Sequence, residues 1–162
     1  MKTIRTLVMG MMFYCATAAT APVNIPIEDT VVKQQIAAGI SMDEAVESMK
    51  LRANLLNMKL VAELPLSKQI EAMGKKARRM EIYQFCDPLT AQRMVEANIN
   101  FAAYLPCRIA LVEDEKGKGW LVMMNPDMML SGATLSAELK KQATEVRDNL
   151  LEIMKAGVNG EL

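Results

Sequence analysis

The chain contains no histidine. That absence removes Ser-His-Asp and Cys-His catalysis, the common zinc ligand sets and histidine-ligated haem. No Cys-x-x-Cys-His run is present, which excludes covalent c-type haem, and there is no Gly-rich phosphate loop. Aromatic residues are scarce, with one Trp, three Tyr and three Phe. An excess of either charge is also missing: 19 Lys and Arg balance 19 Asp and Glu, so there is no electrostatic footprint for nucleic acid. The one basic run, Lys75-Lys76-Ala77-Arg78-Arg79, reads as a solvated turn. Paired acid–base carboxylates are not evident either. Glu113-Asp114-Glu115 reads as a solvated hairpin turn.

What is present begins with a leader. Lys2 and Arg5 form a positive start, and Leu7 to Ala16 is uncharged, with the length of a signal-peptide core rather than a bilayer span. Cleavage is expected after Ala18. Met12 and Tyr14 fit a lipobox badly, so Cys15 is expected to leave with the signal. Removal of Lys2 and Arg5 lowers the 19 basic residues to 17 against 19 acidic ones, a net charge of −2. The reading is a periplasmic or secreted protein with no membrane span after signal removal. Residues 1–18 are the leader, 19–40 a lead-in, 41–156 one domain and 157–162 a tail.

Within that domain the local signals are strong. Ser41 with Glu44 has capping-box spacing, and Met42, Ala45, Val46, Met49, Ala53 and Leu56 form one helical stripe. Lys59–Leu64 reads as a strand stopped at Pro65, and Ser67–Met73 as a short helix closed by Gly74. Met80–Cys86 reads as a second strand, and Asp87-Pro88 opens a helix to about Ala97. An irregular link, Asn98 to Pro106, leads to a hairpin. There the apolar runs Cys107–Val112 and Trp120–Met124 flank the turn DEKGKG, and Pro126 ends it. Thr134–Ala156 reads as a long amphipathic helix with Leu135, Leu139, Ala143, Val146, Leu150 and Ile153 or Met154 buried, stopped by Gly157. The expected fold is α+β: a two-layer sandwich with a mainly antiparallel sheet and helices packed on one face.

Sulfur is the unusual chemical resource. Cys86 ends a strand at the mouth of the Asp-Pro helix, where a helix N-terminus would lower a thiol pKa, and Arg108 beside Cys107 would act the same way. Three readings of Cys86 and Cys107 stay open: a disulfide or paired structural thiols, separate buried thiols, or a reactive or ligand-binding pair. They meet only if their strands are antiparallel neighbours. Met123, Met124, Met128 and Met129 cluster around Asn125-Pro126-Asp127. Core filling is their first reading and Cu(I) ligation the second. Arg108, a charge among apolar strand residues, could face solvent, pair with Glu63 or Glu81, or anchor an anion, with the pairing read first and the anion anchor second. Tyr83, Phe85, Arg108 and Trp120 are candidate walls of a binding pocket.

The stretches SMDEAVESMKLRANLLNMKLVAELPL and MEIYQFCDPLTAQRMVEANINFAAYLPCRIALVEDEKGKGWLVMMNP resemble the family called domain of unknown function 302, from about residue 40 to 130. The strand-Cys-Asp-Pro element, the Leu-Pro-Cys-Arg-Ile start and the hairpin ending in Asn-Pro come in the expected order. Members often carry Asp-His after the first strand, whereas this chain reads Ala62-Glu63-Leu64-Pro65 there. The resemblance implies no assigned activity or cofactor. Three functions are carried forward: an exported accessory or binding protein without catalytic machinery, thiol-based redox or sulfur handling through Cys86 and Cys107, and Met-rich Cu(I) binding. The partner would be a small ligand or an envelope protein, with a homodimer as a further possibility.

Overall fold

Helix α1, Met42–Leu55, starts where the capping box requires. The Ser41 hydroxyl accepts from Glu44 N at 3.1 Å, and Glu44 Oε2 accepts from Ser41 N at 2.7 Å. This is a computed structural model, and it describes residues 24–161. The leader, its cleavage site and Cys15 lie outside the described residues.

The remaining elements follow in chain order. Strand β1 is Val31–Gln35 and precedes α1; β2 is Lys59–Leu64, α2 Leu66–Ala72, β3 Met80–Cys86 and α3 Pro88–Ala97. After a 3-10 turn at Ile99–Tyr104 come β4 Cys107–Glu113, β5 Gly119–Met124, α4 Pro126–Ser131 and α5 Ala137–Asn159. All strand pairs are antiparallel, in the order β1-β5-β4-β3-β2. The result is the expected α+β arrangement.

Alternation divides the sheet into two faces. Tyr83, Phe85, Ile109, Leu111, Leu121 and Met123 are buried and meet Ala45, Met49 and Ala53 of α1 and Leu150, Ile153 and Met154 of α5. Ile82, Ala110 and Val122 form a cross-strand row on the opposite face, half-buried and outside both buried clusters. A second cluster, Met94, Phe101, Leu130, Leu139 and Ala143, joins α3, the 3-10 turn, α4 and the start of α5.

Three elements differ from the sequence reading. The lead-in contains β1, a polar edge strand whose identity comes from its pairing with β5 (Val31↔Met124 to Gln35↔Trp120). Pro126 does not merely end the hairpin. Asn125 accepts from Asp127 N at 3.1 Å and caps α4, with Pro126 in its first turn. Gly157 does not stop the last helix. It is buried inside α5, where an added Cβ would lie 2.6 Å from Met49 Cγ and 3.0 Å from the Ala45 carbonyl oxygen. Gly160, at φ +65°, supplies the left-handed cap instead.

Candidate functional site

The end of β3, the start of β4 and the end of β5 converge beside the start of α3, the 3-10 turn and α4. The antiparallel register places Phe85 opposite Cys107. Cys86 is therefore one residue out of direct pairing with Cys107, and both are free thiols in the structure rather than the disulfide that two cysteines allow. They nevertheless line one small apolar cavity of about 50 Å³, with Thr90, Met94, Phe101 and Ala143 among its walls.

That cavity adjoins a wider one. Tyr104, Cys107 and Met129 line both. The second is a cleft of about 390 Å³, walled by Val31, Ile82, Ala110, Val122 and Met124 and extending to Met123 and Leu150. The first volume accommodates little more than a water, whereas the second enters the range of roughly 300–1,000 Å³ typical of small-molecule sites. Arg108 is exposed on the cleft wall and is the only charged residue lining it among the described residues.

Both thiols are raised above the ordinary cysteine value rather than lowered. Burial pushes Cys107 up to about 11, and the neighbouring Cys86 adds to the shift. Cys86 is also raised, first by burial and then by the charge of Asp87. The lowering expected from the helix N-terminus is cancelled by Asp87. Its carboxylate already accepts from Leu89 N at 3.1 Å and Thr90 N at 3.3 Å. The helix N-terminus is thus capped by an anion that disfavours a second negative charge. Arg108 does oppose the shift at Cys107, but burial outweighs it.

The other sequence candidates separate. Tyr83 and Phe85 lie on the helix-packed face, Phe85 fully buried, while Arg108 and Trp120 belong to the opposite face. These four residues do not form one pocket. Tyr83 donates to Glu81 and lines a polar crevice of about 440 Å³ with Lys50, Glu63 and Arg79. Glu81 pairs with Arg79 at 3.0 Å and Glu63 with Lys50 at 3.1 Å. The expected Arg108 pairing with Glu63 or Glu81 is therefore not formed, because alternation sends those carboxylates to the other face. Trp120 closes the hairpin: its Nε1 donates to Asp114 Oδ2 at 2.9 Å, and Lys33 Nζ lies 4.3 Å from the ring centre.

The methionines divide similarly. Met123 packs in the main core and Met129 against the second cluster, as the core-filling reading expects. Met124 and Met128 are exposed, and Met128 does not line the cleft. Among the described residues, no three His, Cys, Asp or Glu side chains converge to hold a metal.

Tyr104, Met94, Phe101 and Ala143 were missed as site residues. A signal for two of them existed. In a chain with seven aromatic residues, Phe101 and Tyr104 stand three apart in the link, the spacing at which side chains eclipse in a 3-10 turn.

The family profile "Domain of unknown function DUF302" matches residues 33–157. The chain belongs to this family. The match extends beyond residues 40–130, taking in most of β1 and nearly all of α5. The crystal structure of an uncharacterized conserved DUF302 protein from Bacillus stearothermophilus is similar in fold. Its TM-score is 0.66 at 17% sequence identity, with 78% of this chain and 97% of that chain covered. No curated protein matches the sequence. Family membership thus accounts for the architecture of the DUF302 domain, and the chemistry has to be argued from the site itself.

Proposed function

We propose that this DUF302 protein is an exported, non-catalytic binding module whose small-molecule ligand occupies the cleft between β1, β3, β4 and β5. The observation that carries this reading is the cleft itself, at about 390 Å³ with mainly apolar walls. The upward shifts of both thiols and the missing imidazole support binding rather than turnover. Export is supported by the leader pattern of residues 1–18.

Two experiments test the reading. Fractionation with intact-mass measurement reports export: loss of residues 1–18 in the envelope fraction supports it, and a full-length cytosolic protein contradicts it. Native mass spectrometry of protein purified from its own host reports binding. A co-purifying small molecule that Ala110→Trp displaces supports the cleft. Retention of that ligand in a folded Ala110→Trp protein contradicts it.

A second reading, thiol-based sulfur handling, draws on one observation: Cys86 and Cys107 share a cavity, and Cys107 also reaches the cleft. It requires both thiols to become accessible despite their burial. Loss of activity toward a persulfide donor in a folded Cys107→Ser protein supports it, and inert thiols in the wild type contradict it.

A further inference from the structure

Arg108 interrupts the apolar start of β4, and its position has a specific electrostatic consequence. Arg52, Arg78, Arg79 and Arg147 each have at least one carboxylate partner. Arg108 has none among the described residues. Arg93 also stands without one, but it borders a polar hollow with Asp87, Gln142, Glu145 and Asn149. Among the described residues, only Arg108 combines an unpaired guanidinium with an apolar cleft. Among the described residues, no acidic side chain lines that cleft. Alternation keeps Glu63 and Glu81 on the other side of the sheet, where Lys50 and Arg79 hold them.

Tyr104, an exposed residue of the 3-10 turn, lines the same cleft, and its hydroxyl makes no hydrogen bond within the described residues. Arg108 and Tyr104 therefore present two unused hydrogen-bond donors beside walls formed by Val31, Ile82, Ala110 and Val122. An apolar body would gain from those walls. An ammonium or a neutral head group would leave the guanidinium without a counter-charge, whereas a carboxylate or phosphate fits its planar fork.

We infer that the cleft selects a free single-chain or single-ring amphiphile with an anionic head, and that Arg108 is the residue that reads the charge. This rests on the cleft being the binding site, and it adds the chemical class of the ligand. Both carboxylate and phosphate satisfy the argument.

Isothermal titration calorimetry with decanoate, decyl phosphate, decanol and decyltrimethylammonium tests the inference. The two anions are expected to bind about tenfold more tightly than decanol, the scale of one charge-assisted contact at an exposed site. Arg108→Gln should abolish this preference while leaving the melting temperature unchanged. Arg108→Lys should retain part of it. Equal binding of all four probes, or an anion preference that survives Arg108→Gln, overturns the role of Arg108 but leaves the cleft standing. No binding of any probe, or binding unchanged by Ala110→Trp in a folded protein, overturns the cleft and the inference together. Co-sedimentation with phosphatidylglycerol vesicles, lost in Arg108→Gln, would overturn the free-amphiphile assignment in favour of a membrane surface.

Discussion

Gly157 shows how one residue sets the distance between two elements. Its missing side chain lets α5 approach Met49, Leu121 and the backbone of Ala45. A methyl group there meets a carbonyl oxygen that cannot rotate away. Gly157→Ala should therefore destabilise the protein by about 1–3 kcal/mol through overpacking, despite alanine's better helix propensity. Urea unfolding with circular dichroism checks this, and equal or greater stability would contradict it. The cysteines act at the same scale. Burial raises Cys107 to about 11 and also raises Cys86, so few thiolates exist at neutral pH. Iodoacetamide should modify both far more slowly at pH 7 than free cysteine. Cys107 should accelerate only as the pH approaches its raised value, as followed by peptide mass mapping.

At the element scale, α1 is fastened to the sheet through charge. Arg79 pairs with both Asp43 of α1 and Glu81 of β3, and Tyr83 also donates to Glu81. Burial alone would raise the Glu81 pKa. The bonds from Arg79 and Tyr83 reverse that shift and hold it below the ordinary 4.5. A carboxylate depressed in the folded state contributes stability fully above its unfolded value and loses it as pH falls through the folded value. Stability should therefore decline on acidification from about pH 5, and Glu81→Gln should flatten that slope. Urea midpoints measured from pH 7 to pH 3 decide it, and an unchanged slope would remove Glu81 from the account.

The elements readable from sequence were those with local causes. The capping box of α1, the Asp87-Pro88 start of α3 and the turn of the β4–β5 hairpin are all present. In that turn, Asp114 Oδ1 accepts from Lys116 N at 2.8 Å and Lys118 N at 2.9 Å, and Gly117 takes φ +73°. Strand β1 was not readable because Lys33, Gln34 and Gln35 carry no strong strand pattern, and β5 supplies the partner that makes them a strand. Helix α4 was readable in principle. Asn125-Pro126 repeats the logic of Asp87-Pro88, an Asx cap followed by proline in the first turn.

Across the whole molecule, the two sheet faces do different work. Ile109 and Ile82 lie on adjacent strands, yet the first is fully buried against helices and the second faces the cleft. Ile109→Asp should abolish cooperative unfolding, because it buries an unpaired charge. Ile82→Asp should leave a folded protein with impaired ligand binding, as circular dichroism and calorimetry together would show. The candidate site was only partly legible for the same reason. Cys86, Cys107 and Arg108 were identifiable as unusual residues, but the cleft forms where β1, β3, β4, β5 and α4 meet, and no local pattern encodes that meeting. Tyr83 and Trp120 were drawn into the expected site by residue type, whereas strand register assigns them to a polar crevice and a hairpin clamp.

The most direct test is amide chemical-shift mapping during titration with decanoate. If the cleft is the binding site, shifts concentrate at Val31, Ile82, Tyr104, Arg108, Ala110 and Val122, with little change at Lys50, Glu63 and Arg79. Saturable shifts centred on the polar crevice instead, or no saturable shifts at all, would contradict it.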